Sequence, residues 1–205
     1  MNTQHSVTAS APGKTNLFFA VGPLQDDGFH EVASVYLALD LLEEVTVTPA
    51  EAWSVSVTGN VSAEQIASVP TDESNLVVKA AKHVAELAGV DAQPIAFSIN
   101  KHVPVAGGMG GGSADAAAAL LAVNALWCTG IDSKLAESVS LGADIPFALV
   151  GGVAIGLGRG EDLTQIQSVH PIHLVLVTSD EGLSTPAVYK RLDELRAARG
   201  IDPKL

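Results

Sequence analysis

The chemistry of this 205-residue chain is concentrated in one run, Pro104-Val105-Ala106-Gly107-Gly108-Met109-Gly110-Gly111-Gly112-Ser113-Ala114. Five of the six residues from Gly107 to Gly112 are glycine, so backbone amides can converge at dihedrals closed to other residues. Ile95, Phe97 and Ile99 alternate ahead of the run and predict a strand ending at Lys101. An alanine-rich helix is expected from Ala114 to about Trp127. Its first turn offers unpaired N–H groups and the positive end of the helix dipole. Strand, glycine loop and helix start together form an anion cradle, and phosphate is the natural ligand. The Ser113 hydroxyl can cap that helix or meet a metal, and Asp115 suits the dipole without implying chemistry. A flexible turn before a capped helix would share these features, but the flanking strand and helix favour phosphate.

Two commoner phosphate motifs do not fit. Gly13-Lys14-Thr15 resembles the end of a Walker A loop, yet Thr8 stands where that loop needs its first glycine. A G-x-G-x-x-G pattern started at Gly108 meets Ser113 at its last glycine. Taken singly, Lys14 reads as a solvated turn lysine, and Asp144 before Ile145-Pro146 reads as a helix N-cap.

Bulk properties narrow the ligand. A net charge of −12 argues against nucleic acid or an anionic membrane, which need a broad basic face. An anion must instead be held in a local pocket. With 47% hydrophobic residues and a mean hydropathy of +0.31, the chain can bury a core. One cysteine, Cys128, excludes an intrachain disulfide framework, and a cytoplasmic location is expected. Residues 1–9 carry no secretory signal pattern, and the apolar run 114–127 is too short to span a membrane.

The elements that must position these residues are mixed. Val7 and Ala9, then residues 17–21, predict two strands around a turn at Pro12-Gly13. Residues 32–42 form a further apolar stretch, and residues 45–48 and 53–57 alternate on either side of Pro49-Ala50. A meander of short antiparallel strands is expected there. Leu76, Ala80, Val84 and Leu87 recur at helical spacing, with Gly89 as a C-terminal cap. A second helical stretch is expected over 132–141, small-residue and apolar strands over 151–158 and 172–177, and a charged helix over 184–199. Without a regular βαβα repeat, the class is α+β.

Together the segments resemble a known superfamily. Residues 11–17 (Ala-Pro-Gly-Lys-Thr-Asn-Leu), 104–114 and 141–147 (Leu-Gly-Ala-Asp-Ile-Pro-Phe) resemble the GHMP kinases. Within them, Asp27-Gly28-Phe29-His30 and Gly182-Leu183-Ser184-Thr185-Pro186 are similar to the diphosphocytidyl-methylerythritol kinase family. The resemblance runs from about Val7 to Leu195 and implies a two-domain fold. It implies an ATP-binding domain over 1–167 and the start of a substrate-side domain over 168–205. It implies transfer of the ATP γ-phosphate, with Mg2+ bridging phosphate oxygens and largely coordinated by water. The acceptor would be the 2-hydroxyl of a small molecule, diphosphocytidyl-methylerythritol, in isoprenoid precursor synthesis.

On this resemblance Lys14 and Asp144 are the catalytic pair, with Asp144 taking the hydroxyl proton and Lys14 offsetting charge. Residues 104–114, with Asn75 and Lys101, would meet the nucleotide. Asn16 and Thr185 would meet the acceptor, His30 would read the cytosine edge, and Phe29 and Tyr189 would stack on its ring. Family members commonly carry tyrosine at 29, and phenylalanine keeps the stacking face without the hydroxyl. His102 and Arg159 fit a solvated role equally well. No counterpart of the family's third glycine motif is present. The second domain is therefore expected to be partial, with a sheet face left for a partner. Homoserine or mevalonate as acceptor, or nucleotide binding without transfer, are the alternatives.

Overall fold

One strand, β2 (His30–Pro49), organises the sheet. The structure, a computed structural model, describes residues 5–168, 170–177 and 183–203. Along one side β2 pairs antiparallel with β1 (Val7–Leu24) from Val7 opposite Val47 to Leu24 opposite His30. Its other side is divided. Residues 44–49 pair with β4 (Ile95–Lys101), and residues 34–37 pair with β5 (Val153–Leu157). β3 (Ser54–Gly59) flanks β4, and β6 (Asp162–Ile166) flanks β5.

The expected opening meander is therefore a two-stranded ribbon. Pro12-Gly13 does not turn the chain; β1 runs through it with a register shift between Pro12 and Lys14. The reason is nonlocal. The Lys14 amide donates to the Met109 carbonyl at 2.8 Å, so the irregularity in β1 is paired to the glycine loop. The step from β2 to β3 is no hairpin either, because β4 lies between them in the sheet, and β3 runs parallel to β4. That pairing needs a crossover. It is supplied by α1 (Ala63–Ser68) and α2 (Leu76–Ala88).

The helix α2 matches its periodicity, with Asn75 capping the Val77 amide and Gly89 closing the end at φ 68°. Val77, Val78, Ala81 and Val84 enter the core beside Val45, Val47, Ile95, Phe97 and Ile99. The helix α3 (Gly111–Trp127) packs on the same core, buried along most of its length. Its many alanines let the backbone approach β1 and β2 closely. It starts three residues earlier than the sequence suggests, with Gly110 as the residue before the helix at φ 69°. Ser113 accordingly lies inside the first turn and does not cap it.

The helical stretch expected over 132–141 is present as a 3₁₀ helix. α4 (Ile145–Val150) and α5 (Thr185–Arg199) follow. The apolar run 172–177 is no strand: it has no ladder partner among the described residues, and Val175 and Val177 are almost fully exposed. An apolar run alone does not make a strand without a neighbouring edge. Gly182 lies outside the described residues. Among the described residues no helix is long and apolar enough to cross a membrane.

Candidate active site

The glycine loop forms one wall of a cavity of about 420 Å³. Residues 104–112 line it, facing Ser68, Val69, Pro70 and residues 74–76 from the α1–α2 connection. The loop bends through positive φ at Ala106 (57°), Gly108 (71°) and Gly110 (69°). Ala106 is the costly member, because a Cβ disfavours that region. Glycine is also needed at Gly13, where a Cβ would stand 2.8 Å from Val103 Cγ2. The missing side chain lets β1 lie against the loop.

The beginning of α3 opens at this wall, so its free amides and dipole are available to an anion. Apolar Val69, Pro70 and Leu76 opposite suit a base. This donor set fits a nucleoside triphosphate. Asn75 lines the cavity, but its side chain is spent on the helix cap and on the Pro70 carbonyl at 2.6 Å. Lys101 lines it as well, while its ammonium turns to Glu43 at 2.6 Å and Asp115 at 2.7 Å. Burial, set against the nearby Lys101 charge, pushes the Asp115 carboxyl up to about 7.

Lys14 and Asp144 meet beside the loop. Lys14 Nζ lies 3.7 Å from Asp144 Oδ2, and both side chains are largely shielded. The Asp144 side chain makes no cap hydrogen bond to α4, which leaves its carboxylate free for Lys14. A Cβ on Gly110 would come within 3.3 Å of Lys14 Cγ and 3.6 Å of Asp144 Oδ2. The pair therefore sits directly against the end of the anion cradle.

Asn16 aims the lysine. Lys14 Nζ donates to Asn16 Oδ1 at 3.1 Å, Asn16 Nδ2 donates to Ser34 Oγ at 2.6 Å, and Ser34 Oγ donates to the Phe18 carbonyl. The Tyr36 ring lies 5.7 Å from Lys14 Nζ. Burial and then the Asp144 charge push the Tyr36 phenol up to about 12. Burial and then the Asp144 charge raise the Tyr189 phenol as well.

Phe29 and His30 line a second hollow with Asp26, Asp27, Glu31, Arg159 and Glu161, whereas Tyr189 does not line it and meets it only through the His30 ring. His30 and Tyr189 stack with ring centroids 5.0 Å apart. His30 Nε2 lies 3.0 Å from Asp193 Oδ1, so α5 grips the imidazole by face and by edge. Arg196 fastens the same helix by donating to the Val21 and Gly22 carbonyls. Phe29 is half exposed, with the Arg159 guanidinium 3.8 Å above its ring and paired to Asp27. Thr185 opens α5 in an exposed position.

Sequence reasoning did not single out Glu43, Tyr36 or Asp193. Glu43 had a signal: it shares the parity of Val45 and Val47, whose alternation points into the core. Among the described residues no cluster of three or more His, Cys, Asp or Glu is placed to hold a metal.

The fold and this site define a class. The model of the GHMP kinases N terminal domain matches residues 75–152. Over the span it covers, the chain belongs to the GHMP kinase family. A homoserine kinase from Cytophaga hutchinsonii shares the fold at a TM-score of 0.54 and 20% identity, covering all of this chain and 74% of that one.

Its nearer likenesses carry one name. The chain is 47% identical to the 4-diphosphocytidyl-2-C-methyl-D-erythritol kinase of Kineococcus radiotolerans, across 96% of this chain and 61% of that protein. It is 49% identical to that of Leifsonia xyli, across 93% and 62%. A crystal structure of 4-(cytidine 5'-diphospho)-2C-methyl-D-erythritol kinase superposes with a TM-score of 0.65 at 31% identity, covering 89% of this chain and 63% of the other. The chain spans between 61% and 66% of the length of curated relatives such as these.

Proposed function

We propose that the protein phosphorylates the 2-hydroxyl of 4-diphosphocytidyl-2-C-methyl-D-erythritol with ATP. The observation that carries this is the Lys14–Asp144 pair set against Gly110, at the end of the glycine-loop cavity. Within residues 104–114, the backbone amides from Gly108 to Ser113 would cradle the phosphates, since Pro104 has no N–H and the Gly107 and Ala114 amides donate to the Pro104 and Gly110 carbonyls. Asp144 would accept the proton as the hydroxyl oxygen bonds to the γ-phosphorus and the bridging P–O bond to ADP breaks. Lys14, aimed by Asn16, would offset charge on the transferring group. Most of the acceleration would come from positioning. Mg2+ would arrive with ATP, held by phosphate oxygens and water, and would neutralise phosphate charge.

Phe29, His30, Thr185 and Tyr189 would hold the cytidine-bearing acceptor. Residues 1–167 would form the nucleotide domain, with 168–205 belonging to the acceptor side. Both substrates are water-soluble, which fits a cytoplasmic enzyme. The test is acceptor-dependent ADP release with diphosphocytidyl-methylerythritol, homoserine and mevalonate. Turnover of the first alone is expected. Turnover of either other acceptor in its place would refute the assignment, and ADP binding without transfer to any would leave nucleotide binding only.

A further inference from the structure

Glu43 lies on β2 with no exposure at all, a costly place for a carboxylate. Three donors hold it: Lys101 Nζ at 2.6 Å, the His102 amide at 2.9 Å and the Val103 amide at 3.2 Å. These donors belong to the three residues immediately before Pro104, where the glycine loop starts. Lys101 Nζ continues to Asp115 Oδ2, in α3 beyond the loop's other end. Glu43 Oε1 also stands 3.1 Å from the place a Cβ on Gly111 would occupy, so the carboxylate abuts the backbone where α3 begins.

Two carboxylates and one ammonium thus clasp both ends of residues 104–110. Buried ion clusters are a weak source of stability. Their better-attested use is to specify one geometry, and here both Glu43 oxygens are paired while Asp115 Oδ1 has no hydrogen-bond partner among the described residues. Glu43 does not line the cavity, whereas Lys101 and Asp115 do.

We propose that Glu43 is a positioning residue for the nucleotide. Through the His102 and Val103 amides and the Lys101–Asp115 link, it holds the two ends of the glycine loop at the separation at which its amides receive phosphate. This rests on the reading of the cavity as a nucleotide site. Glu43→Gln keeps one acceptor oxygen but sets an NH2 donor either against the His102 amide or against the Lys101 ammonium and the Val103 amide, so part of the clasp opens while the side chain keeps its size.

The experiment compares wild type with Glu43→Gln by ADP calorimetry and steady-state kinetics, with the fold checked by circular dichroism. ADP binding should weaken at least about tenfold, the scale of one charge-assisted hydrogen bond. KM for ATP should rise while KM for the acceptor stays within about twofold, a split that general loosening would not give. Equal ADP affinity in the folded variant overturns the proposal. If the variant does not fold, wild-type hydrogen exchange decides. Protection of the His102 and Val103 amides equal to that of Ile99 supports the clasp, and exchange as fast as exposed turns overturns it. ADP failing to bind wild type overturns the nucleotide reading itself and this inference with it.

Discussion

Lys14 Nζ and Asp144 Oδ2 are 3.7 Å apart, although one residue belongs to β1 and the other stands before α4. Neither is held by its own element alone. Lys14 is pinned through its amide to Met109 and through its side chain to Asn16. Asp144 is left without a cap bond. The pair exists because the glycine loop draws β1 against the start of α3.

Asp144→Asn should keep this geometry and remove the proton acceptor. The expected loss in kcat is on the order of 10²–10⁴, the usual worth of a positioned general base. ADP affinity should stay within about twofold, since the carboxylate is no part of the amide cradle. Stopped-time assay of ADP release, with calorimetry on the same protein, checks both.

Gly110→Ala should harm chemistry beyond its cost in stability. Its φ of 69° imposes a penalty of about 1–2 kcal/mol on any Cβ. That Cβ would also press on Lys14 Cγ at 3.3 Å. Gly89, with φ 68° and nothing nearby, is the control. Gly89→Ala should lose similar stability in urea while keeping kcat.

Asp115 gives a pH signature. Its carboxyl is raised from 3.8 to about 7 in the folded chain, so the folded state holds a proton that the unfolded state has released. Folding therefore binds more protons between these values, and stability from this group falls as pH rises through them. It is complete below about pH 4 and lost above about pH 7. The urea midpoint of wild type should decline across this window more steeply than that of Asp115→Asn. Parallel profiles would contradict the assignment.

His30→Ala removes the ring that Tyr189 stacks on and the partner of Asp193. KM for the diphosphocytidyl acceptor should rise at least about tenfold, the cost of an unmade polar contact in a site built for it. KM for ATP should remain within about twofold, because the glycine-loop cavity does not include His30. Initial rates with each substrate varied in turn separate the two effects.

Local preferences were legible in the residues themselves. The period of α2, its Gly89 end, the helix after the glycines and the charged helix α5 all follow from short-range sterics and capping. The glycine run announced an anion site for the same reason: removing Cβ atoms is a local act with a local consequence. What tertiary structure decided was pairing and burial. Pro12-Gly13 looks like a turn until the Met109 carbonyl makes it a register shift, and residues 172–177 look like a strand until no edge among the described residues receives them. Lys101 and Asp115 look like a ligand contact and a dipole partner. Only the fold brings buried Glu43 to Lys101, which then lies between the two carboxylates, and turns all three into a clasp on the loop. Spacing along a chain encodes which residues share a face. Which distant charge must share their desolvation is set by how β2 lies in the sheet.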